Sequence, residues 1–596
     1  MIRTPTLKSI PVCLAAAIAA ACAMGAYFGA AMQGTAAMIA CFMLFTGACA
    51  LNPGKQERVF ASLLGAAFSA FRVIGYSYDA LDSYGLIMKN GSTLFGAVCA
   101  WLALAVMSAC AVLMIFALLQ RIGEWAARGE APERKARKKL FVLSALMIFL
   151  GSMPYLYLYA PGLNIFDTHD QILQFFGFPS YIGDGSALSD HHPVFLTVVY
   201  GLFMKAGVAL GSVNAAQMAY SLLSTAVIAL CYAHAFATLY DAGLREKFLY
   251  ILSECVALYP VLALYAFNMC KDVSAAPFVL ILCAQLLRMH ASRGAVMKNN
   301  RFALTVFLNA LALMLTRKPS LYALAFASVF LIIAYKGVRL RITAAFLGAV
   351  LVFQFAYTGL LLPALGVIPG ETREMLSIPF QMTARVLHEG HEVTQEEQDA
   401  IGRVLRLDAC VNDYDPRLSD PVKDTSNPDM TGEDLKAYLG AFVSVGLRHP
   451  QVYLEAWLNM IYGYFYPSDS NTIVCLTLNS PDQGGVSLTQ NRALDAARLE
   501  LHNIMYFRLR QIPGIGALFY VDTVTWAFLL LFCVIWLRHG FAALAPCMYF
   551  FGTLGICMLS PKSGEIRYLM PILYALPVML GAAVLPAKGK GGIADE

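Results

Sequence analysis

The sequence predicts an all-α polytopic membrane protein of about fourteen transmembrane helices. Interfacial helices occupy its first large outer loop, and a small, mixed but mostly helical extracytoplasmic domain is inserted later. Three observations predict this. Of 596 residues, 59% are apolar and only 14% are charged, a composition that excludes a soluble multidomain enzyme. Mean hydropathy is +0.62. The apolar residues fall into runs of roughly 20, the length that crosses a ~30 Å hydrocarbon core as a helix, and Lys and Arg gather in alternate short connections.

In chain order the runs are 9–31, 34–51, 59–77 and 92–119, then 139–158, 216–239, 247–267, 272–289, 302–316, 320–336 and 342–362, and finally 517–537, 540–559 and 568–586. The connection after the fourth run carries Arg121, Arg128, Arg134, Lys135, Arg137, Lys138 and Lys139, which places it in the cytoplasm. Counting from there puts Lys55 and Arg58, Arg245 and Lys247, Arg293 with Lys298 and Arg301, Lys336 with Arg339 and Arg341, and Arg538 inside as well. No other parity does so. The count requires that the apolar segment 193–210, which comes after His191-His192-Pro193 and precedes Gly211-Ser212, lie along the outer leaflet as an interfacial helix. An ordinary short span is the alternative, but it would invert the charge pattern of every later loop.

Arg3 and Lys8 give the first run the basic flank of a signal peptide, yet no small-residue cleavage site stands out, so it reads as a retained span. Both termini then lie in the cytoplasm. The resulting organisation is an N-terminal four-helix membrane extension (1–120), a basic cytoplasmic loop (121–138), a membrane core (139–362) with an outer loop at 159–215, an extracytoplasmic domain (363–516), C-terminal transmembrane helices (517–586) and a cytoplasmic tail (587–596). The net charge of +5, from 43 Lys and Arg against 38 Asp and Glu, is too small a surplus to argue for nucleic acid. The 15 cysteines are scattered singly, without CxxC or zinc-like spacing. Cys410 and Cys475, in the polar block, either form a disulfide or remain free thiols.

Polar chemistry concentrates in the first outer loop. Asp167, His169, Asp170, Asp190, His191 and His192 come after a membrane exit and a turn at Pro161-Gly162. A carboxylate at that depth is partly desolvated and can act as a general base on a hydroxyl. Solvated loop residues, or a helix cap at Asp167, are the plainer alternative. Lys271-Asp272, Arg317-Lys318-Pro319 and the segment from Lys562 to Tyr568, which contains Arg567, place cations at the outer edge, against the inside preference of Lys and Arg. Snorkelling or local pairing would explain any one of them. Together they suit a lipid phosphate. Asp167, His169, Asp170 and His191 or His192 offer oxygen and imidazole donors to a divalent cation, although no dense ligand motif such as HExxH is present, so a divalent cation is left open and no cofactor is assigned.

The ordered set Pro161-Gly162, Asp167, Asp170-Gln171, His191-His192-Pro193, Lys271-Asp272, Arg317-Lys318-Pro319, Leu418 to Lys423, Gly463-Tyr464-Phe465-Tyr466-Pro467 and Arg567-Tyr568-Leu569-Met570-Pro571 resembles the GT-C superfamily of integral-membrane glycosyltransferases. That superfamily includes protein mannosyltransferases and the aminoarabinose transferases of lipid A, and the resemblance, covering about residues 139–586, is to a bacterial branch of it. It implies a GT-C-like fold in the bacterial cytoplasmic membrane with its active site on the outer face, and a sugar donor carried on polyprenyl phosphate. It also implies a cell-envelope glycan, lipid or protein as acceptor. Asp167 matches the superfamily's first-loop base, with Asp170 and Asp272 as further acidic positions. Lys271, Lys318 and Arg567, joined by Arg317, match cations that face the lipid phosphate. Gln171, His191, His192 and Tyr568 sit in the same motifs and are further substrate-binding candidates. The adjacent Asp-Glu of better-known members is replaced by Asp167-Thr168, so either Asp167 or Asp170 is the base, with Asp167 preferred. A single inverting displacement is expected from one base and a neutralised phosphate leaving group. A transporter or lipid flippase, and a noncatalytic envelope-assembly protein, are the competing functions. A transporter calls for ionisable groups at the midplane rather than at one edge.

Overall fold

The computed structural model describes residues 9–29, 34–469 and 471–586. Arg3, Lys8 and the predicted tail 587–596 lie outside the described residues. The chain is an all-α polytopic membrane protein. Among the described residues, nine helices are long and apolar enough to cross a membrane, from Ile10–Phe28 to Ile566–Val584. Four more predicted runs form shorter apolar helices, Thr35–Cys49, Asn300–Thr316, Ser320–Ala334 and Phe541–Cys557. The run 247–267 is broken into Glu246–Leu258 and Pro260–Tyr265. Pro260 lacks the N–H that would continue the first helix, and it opens the second at a position where no such donor is needed.

The segment expected to lie along the interface forms the helix Val194–Ala209. It packs on the short helix Phe166–Phe175. A Cβ on Gly201 would stand 1.9 Å from the Phe175 ring, so only glycine allows the two helices to come this close. The turn before them is equally constrained. Gly162 has φ of 143°, and a Cβ there would meet Ser221 Oγ at 2.1 Å.

Two very short strands fix the site. β1 (Leu163–Asn164) pairs in parallel with β2 (Asn268–Met269), Leu163 opposite Asn268. Parallel pairing makes the two strands leave the ladder in the same direction, so their downstream segments emerge side by side. The chain after β1 enters the helix bearing Asp167, and the chain after β2 enters Lys271–Ser274. Thr168 Oγ1 closes the junction by donating to Met269 O at 2.5 Å.

The polar insertion folds around its own core of Phe380, Ile401, Leu405, Val422 and Tyr438. Its principal helices are Ser377–His388, Gln395–Gly402, Gly432–Arg448 and Pro450–Ile461. Gln395–Gly402 starts on a capping box: Thr394 Oγ1 accepts from Glu397 N, and Thr394 N donates back to the Glu397 carboxylate at 2.9 Å. Cys410 is buried in this core, whereas Cys475 lies beside Thr477; both are free thiols, so of the two alternatives for this pair the disulfide is not formed.

The N-terminal extension is tied to the rest of the chain. Arg72, in the Lys55–Leu81 helix, pairs with buried Asp522 at 2.8 Å. At the end of that helix Asp82 adopts φ of 53°, its carboxylate pairs with Arg417 at 3.1 Å, and its carbonyl accepts from Arg385 and Asn459.

Candidate functional site

A cavity of about 570 Å³ opens where the loop 159–215, the ends of several apolar helices and the start of the polar domain meet. At one end it is lined by Lys271, Asp272, Arg317, Lys318, His191 and Tyr568. The rest of its lining mixes apolar side chains, among them Leu321, Tyr322, Phe353, Leu362, Val367 and Met375, with Asp190, Gln354, Thr358, Glu371 and Glu374. Six of the eleven candidate residues named from sequence therefore face one cavity, although they are separated by up to 377 positions in the chain.

Each cation at the polar end meets a carboxylate. Lys271 Nζ lies 2.8 Å from Asp167 Oδ2, and Arg567 Nη1 reaches the same oxygen at 3.3 Å. Arg567 also pairs with Glu565 at 3.3 Å. Lys318 pairs with Asp190 at 3.1 Å and donates to its carbonyl. Arg317 pairs with Asp272 at 3.0 Å, with side chains only 2% and 3% exposed. It also donates through Nη2 to Tyr568 O at 3.0 Å. Its Nη1 is buried and has no partner among the described residues. A guanidinium nitrogen left without an acceptor in a cavity wall is costly, and an anion in the cavity would relieve that cost.

Burial by itself would raise the pKa of Asp167, but Lys271 and Arg567 outweigh it and hold the carboxyl well below its usual range. His192 is also pushed well below its ordinary value, by burial first and then by Lys271, so its ring is neutral at pH 7. Its Nδ1 therefore accepts from Lys271 Nζ at 3.1 Å. His191 is likewise brought down to about 4 by burial, with Lys271 and Lys423 adding to the effect. Its Nδ1 is buried without a partner among the described residues. Burial also lowers Lys318, against the pull of Asp190.

Asp167, Arg567 and His192 thus join the cavity through Lys271. Asp170 and Gln171 do not. The Asp170 side chain is 2% exposed and meets His169 at 3.4 Å. Gln171 is buried and donates to Thr197 Oγ1 at 3.0 Å, tying its helix to Val194–Ala209. Three residues apart on one helix, Asp167 and Asp170 take different surroundings. The proposed metal donors are likewise separated, His169 onto Asp170 and Asp167 onto cations. Among the described residues no group of three His, Cys, Asp or Glu could hold a metal ion.

Three groups at the cavity fall outside the candidate set. Asp190 neutralises Lys318. Glu371 and Glu374 face the cavity from the start of the polar domain, and Glu374 pairs with buried Lys423 at 2.9 Å. Asp190 adjoins the two histidines and is visible in the sequence as part of that cluster. The glutamates carry no such signal, because nothing local tells that 369–375 folds back beside residues 188–190. It does so through paired backbone bonds, Asp190 N to Ile368 O and Ile368 N to Leu188 O, both 2.8 Å.

The cavity thus brings three cations, four carboxylates and a set of apolar side chains together. No curated protein and no solved structure matches the chain. One family model, described as a family of unknown function (DUF6020), matches residues 182–590. The matched stretch contains His191, Lys271, Arg317, Lys318 and Arg567 and begins after Asp167. It takes in more than half of the chain, which therefore belongs to the DUF6020 family of unknown function.

Proposed function

We propose that this protein is a membrane glycosyltransferase of GT-C-like fold, with about fourteen spans, that moves a sugar from a polyprenyl-phosphate donor to a cell-envelope acceptor outside the bacterial cytoplasmic membrane. The observation that carries this reading is Arg317: a buried guanidinium with an unpartnered nitrogen among the described residues, in a cavity that Lys318, Lys271 and several apolar side chains also line. The donor phosphate sits against these cations, and the apolar side chains take the first isoprene units.

The chemistry derives from the placement. An acceptor hydroxyl attacks the anomeric carbon, its proton passes to Asp167, and the bond from that carbon to the phosphate oxygen breaks. The electron pair leaves on the polyprenyl phosphate, where Lys271, Arg317 and Lys318 stabilise it. Asp167 is a poor base while Lys271 and Arg567 both hold it. A donor phosphate that draws Lys271 towards itself weakens that hold and raises the basicity of Asp167 when substrate is present. Asp272 orients Arg317 rather than taking the proton, because its carboxylate is already engaged in a buried pair.

Native mass spectrometry of the full-length protein with a polyprenyl phosphate tests the reading. The phosphate binds and the matching polyprenol does not, and Lys318→Gln weakens binding about tenfold or more, the cost of one charge-assisted hydrogen bond. Equal binding of alcohol and phosphate would contradict it.

A lipid flippase is the second reading, favoured by the break at Tyr259–Pro260 in an apolar run, since broken helices are common in transporters. The edge position of the charged groups favours the transferase.

A further inference from the structure

A second cavity, of about 760 Å³, is lined by the segment that braces the Asp167 loop. One wall is residues 474–477, the other the chain from His502 to Tyr520. Cys475 N donates to Tyr265 Oη at 3.3 Å; Cys475 O accepts from Asn268 Nδ2 at 3.3 Å; and Thr477 O accepts from Asn164 N at 3.0 Å. This wall therefore lies directly against β1 and β2, and Asn164 is three residues before Asp167.

The lining is polar and aromatic together. Tyr506, Tyr520, His502 and Phe507 offer ring faces, and Asn471 and Gln511 offer amides. The architecture is built rather than incidental. Arg510, whose side chain is 6% exposed, is held between Tyr506 and Tyr520 with its guanidinium 4.9 and 4.5 Å from their ring centroids. It donates to Asn471 O and to Phe519 O, and pairs with Asp469 at 3.4 Å. Tyr506 Oη both donates to Val474 O and accepts from Val474 N, and His502 stacks on the Tyr506 ring at 4.4 Å.

These commitments decide the ligand class. Among the described residues Arg510 is the one Lys or Arg lining the cavity, and it is already paired and stacked, so an anion finds no unpaired Lys or Arg there. Amides, threonine hydroxyls and the carboxylate of Asp469 would leave a purely apolar ligand facing unpaired polar groups. A neutral saccharide meets both demands: its hydroxyls pair with amides and carboxylate, and its C–H faces lie on aromatic rings. Phe507, Ile512, Ile515 and Leu518 are exposed in the segment leading into the Val521–His539 helix, which suits a membrane-surface position.

We infer that this cavity binds the saccharide acceptor. The inference rests on the glycosyltransferase reading and narrows it to a glycan acceptor, either a glycolipid headgroup or a free oligosaccharide. Saturation-transfer NMR on the full-length protein in nanodiscs tests it, using a panel of neutral and N-acetylated oligosaccharides, free in solution in one arm and as glycolipids in the nanodisc in the other. At least one saccharide shows transfer to its ring protons, and His502→Ala with Gln511→Ala weakens it about tenfold or more, as expected for two lost contacts of ordinary strength. Polyprenyl phosphate binding stays unchanged in that variant. Signal in the nanodisc arm alone assigns a glycolipid, and signal in both arms a free glycan. No saccharide signal in either arm, or signal that the double variant leaves intact, overturns the inference. Failure of the wild-type protein to bind polyprenyl phosphate would instead count against the transferase reading.

Discussion

Asp167 is a carboxylate restrained by two cations, and its behaviour with pH shows what that restraint does. Lys271 at 2.8 Å and Arg567 at 3.3 Å keep it ionised despite its burial. A base must be deprotonated to act, so on the proposed transferase reading the acid limb of kcat/KM for the free protein lies below about pH 4, the ordinary carboxylate value. Lys271→Gln removes the nearer cation. The folded-state pKa then rises, and the limb moves to higher pH. A limb that stays in place would show that another group titrates. In the sequence Asp167 and its cations stand as separate motifs with nothing to show that they meet, because a pair 104 residues apart leaves no local pattern.

At the scale of elements, apolar runs were legible because span length and hydropathy are properties of contiguous residues. β1 and β2 were not, since two residues carry no periodicity. Yet that pair is what sets Asp167 beside Lys271. The break in run 247–267 was written in Pro260 but outweighed by the apolar residues around it. Burial could not be read either, and it decides the Arg317–Asp272 pair. Asp272→Ala leaves an uncompensated charge in the interior, an expected loss of about 3–5 kcal/mol that a thermal melt in detergent would detect. The double variant Arg317→Met, Asp272→Leu regains most of that stability and binds no lipid phosphate. Equal melting of wild type and Asp272→Ala would show the pair to be solvated.

For the whole molecule, orientation rests on Lys and Arg counts and is open to a direct check. A peptide epitope inserted after Gly390 is stained in intact spheroplasts, and one inserted after Gly129 only after permeabilisation. The reverse pattern would place the proposed site in the cytoplasm. The N-terminal helices, read from sequence as a four-helix membrane extension, are tied in through Arg72–Asp522 and through Asp79 and Asp82 on Arg417. These contacts join the extension to the polar domain and to the C-terminal helices, so the two cavities are framed by one interlocked body. That the charged motifs stand at the ends of apolar runs could be read from the chain alone. That one cavity collects most of them while Asp170 and Gln171 turn inward could not, because it depends on contacts between segments hundreds of residues apart.

Sugar transfer from a lipid phosphate, with Asp167 as base, is open to a kinetic comparison. Purified full-length protein, wild type and Asp167→Asn, is given a polyprenyl-phosphate sugar donor and the rate of transfer is followed. The wild type transfers sugar, and the variant loses about 10²–10⁴-fold, the usual contribution of a general base, while still binding polyprenyl phosphate. A folded Asp167→Asn protein that transfers sugar at the wild-type rate would rule Asp167 out as the base and the proposed mechanism with it.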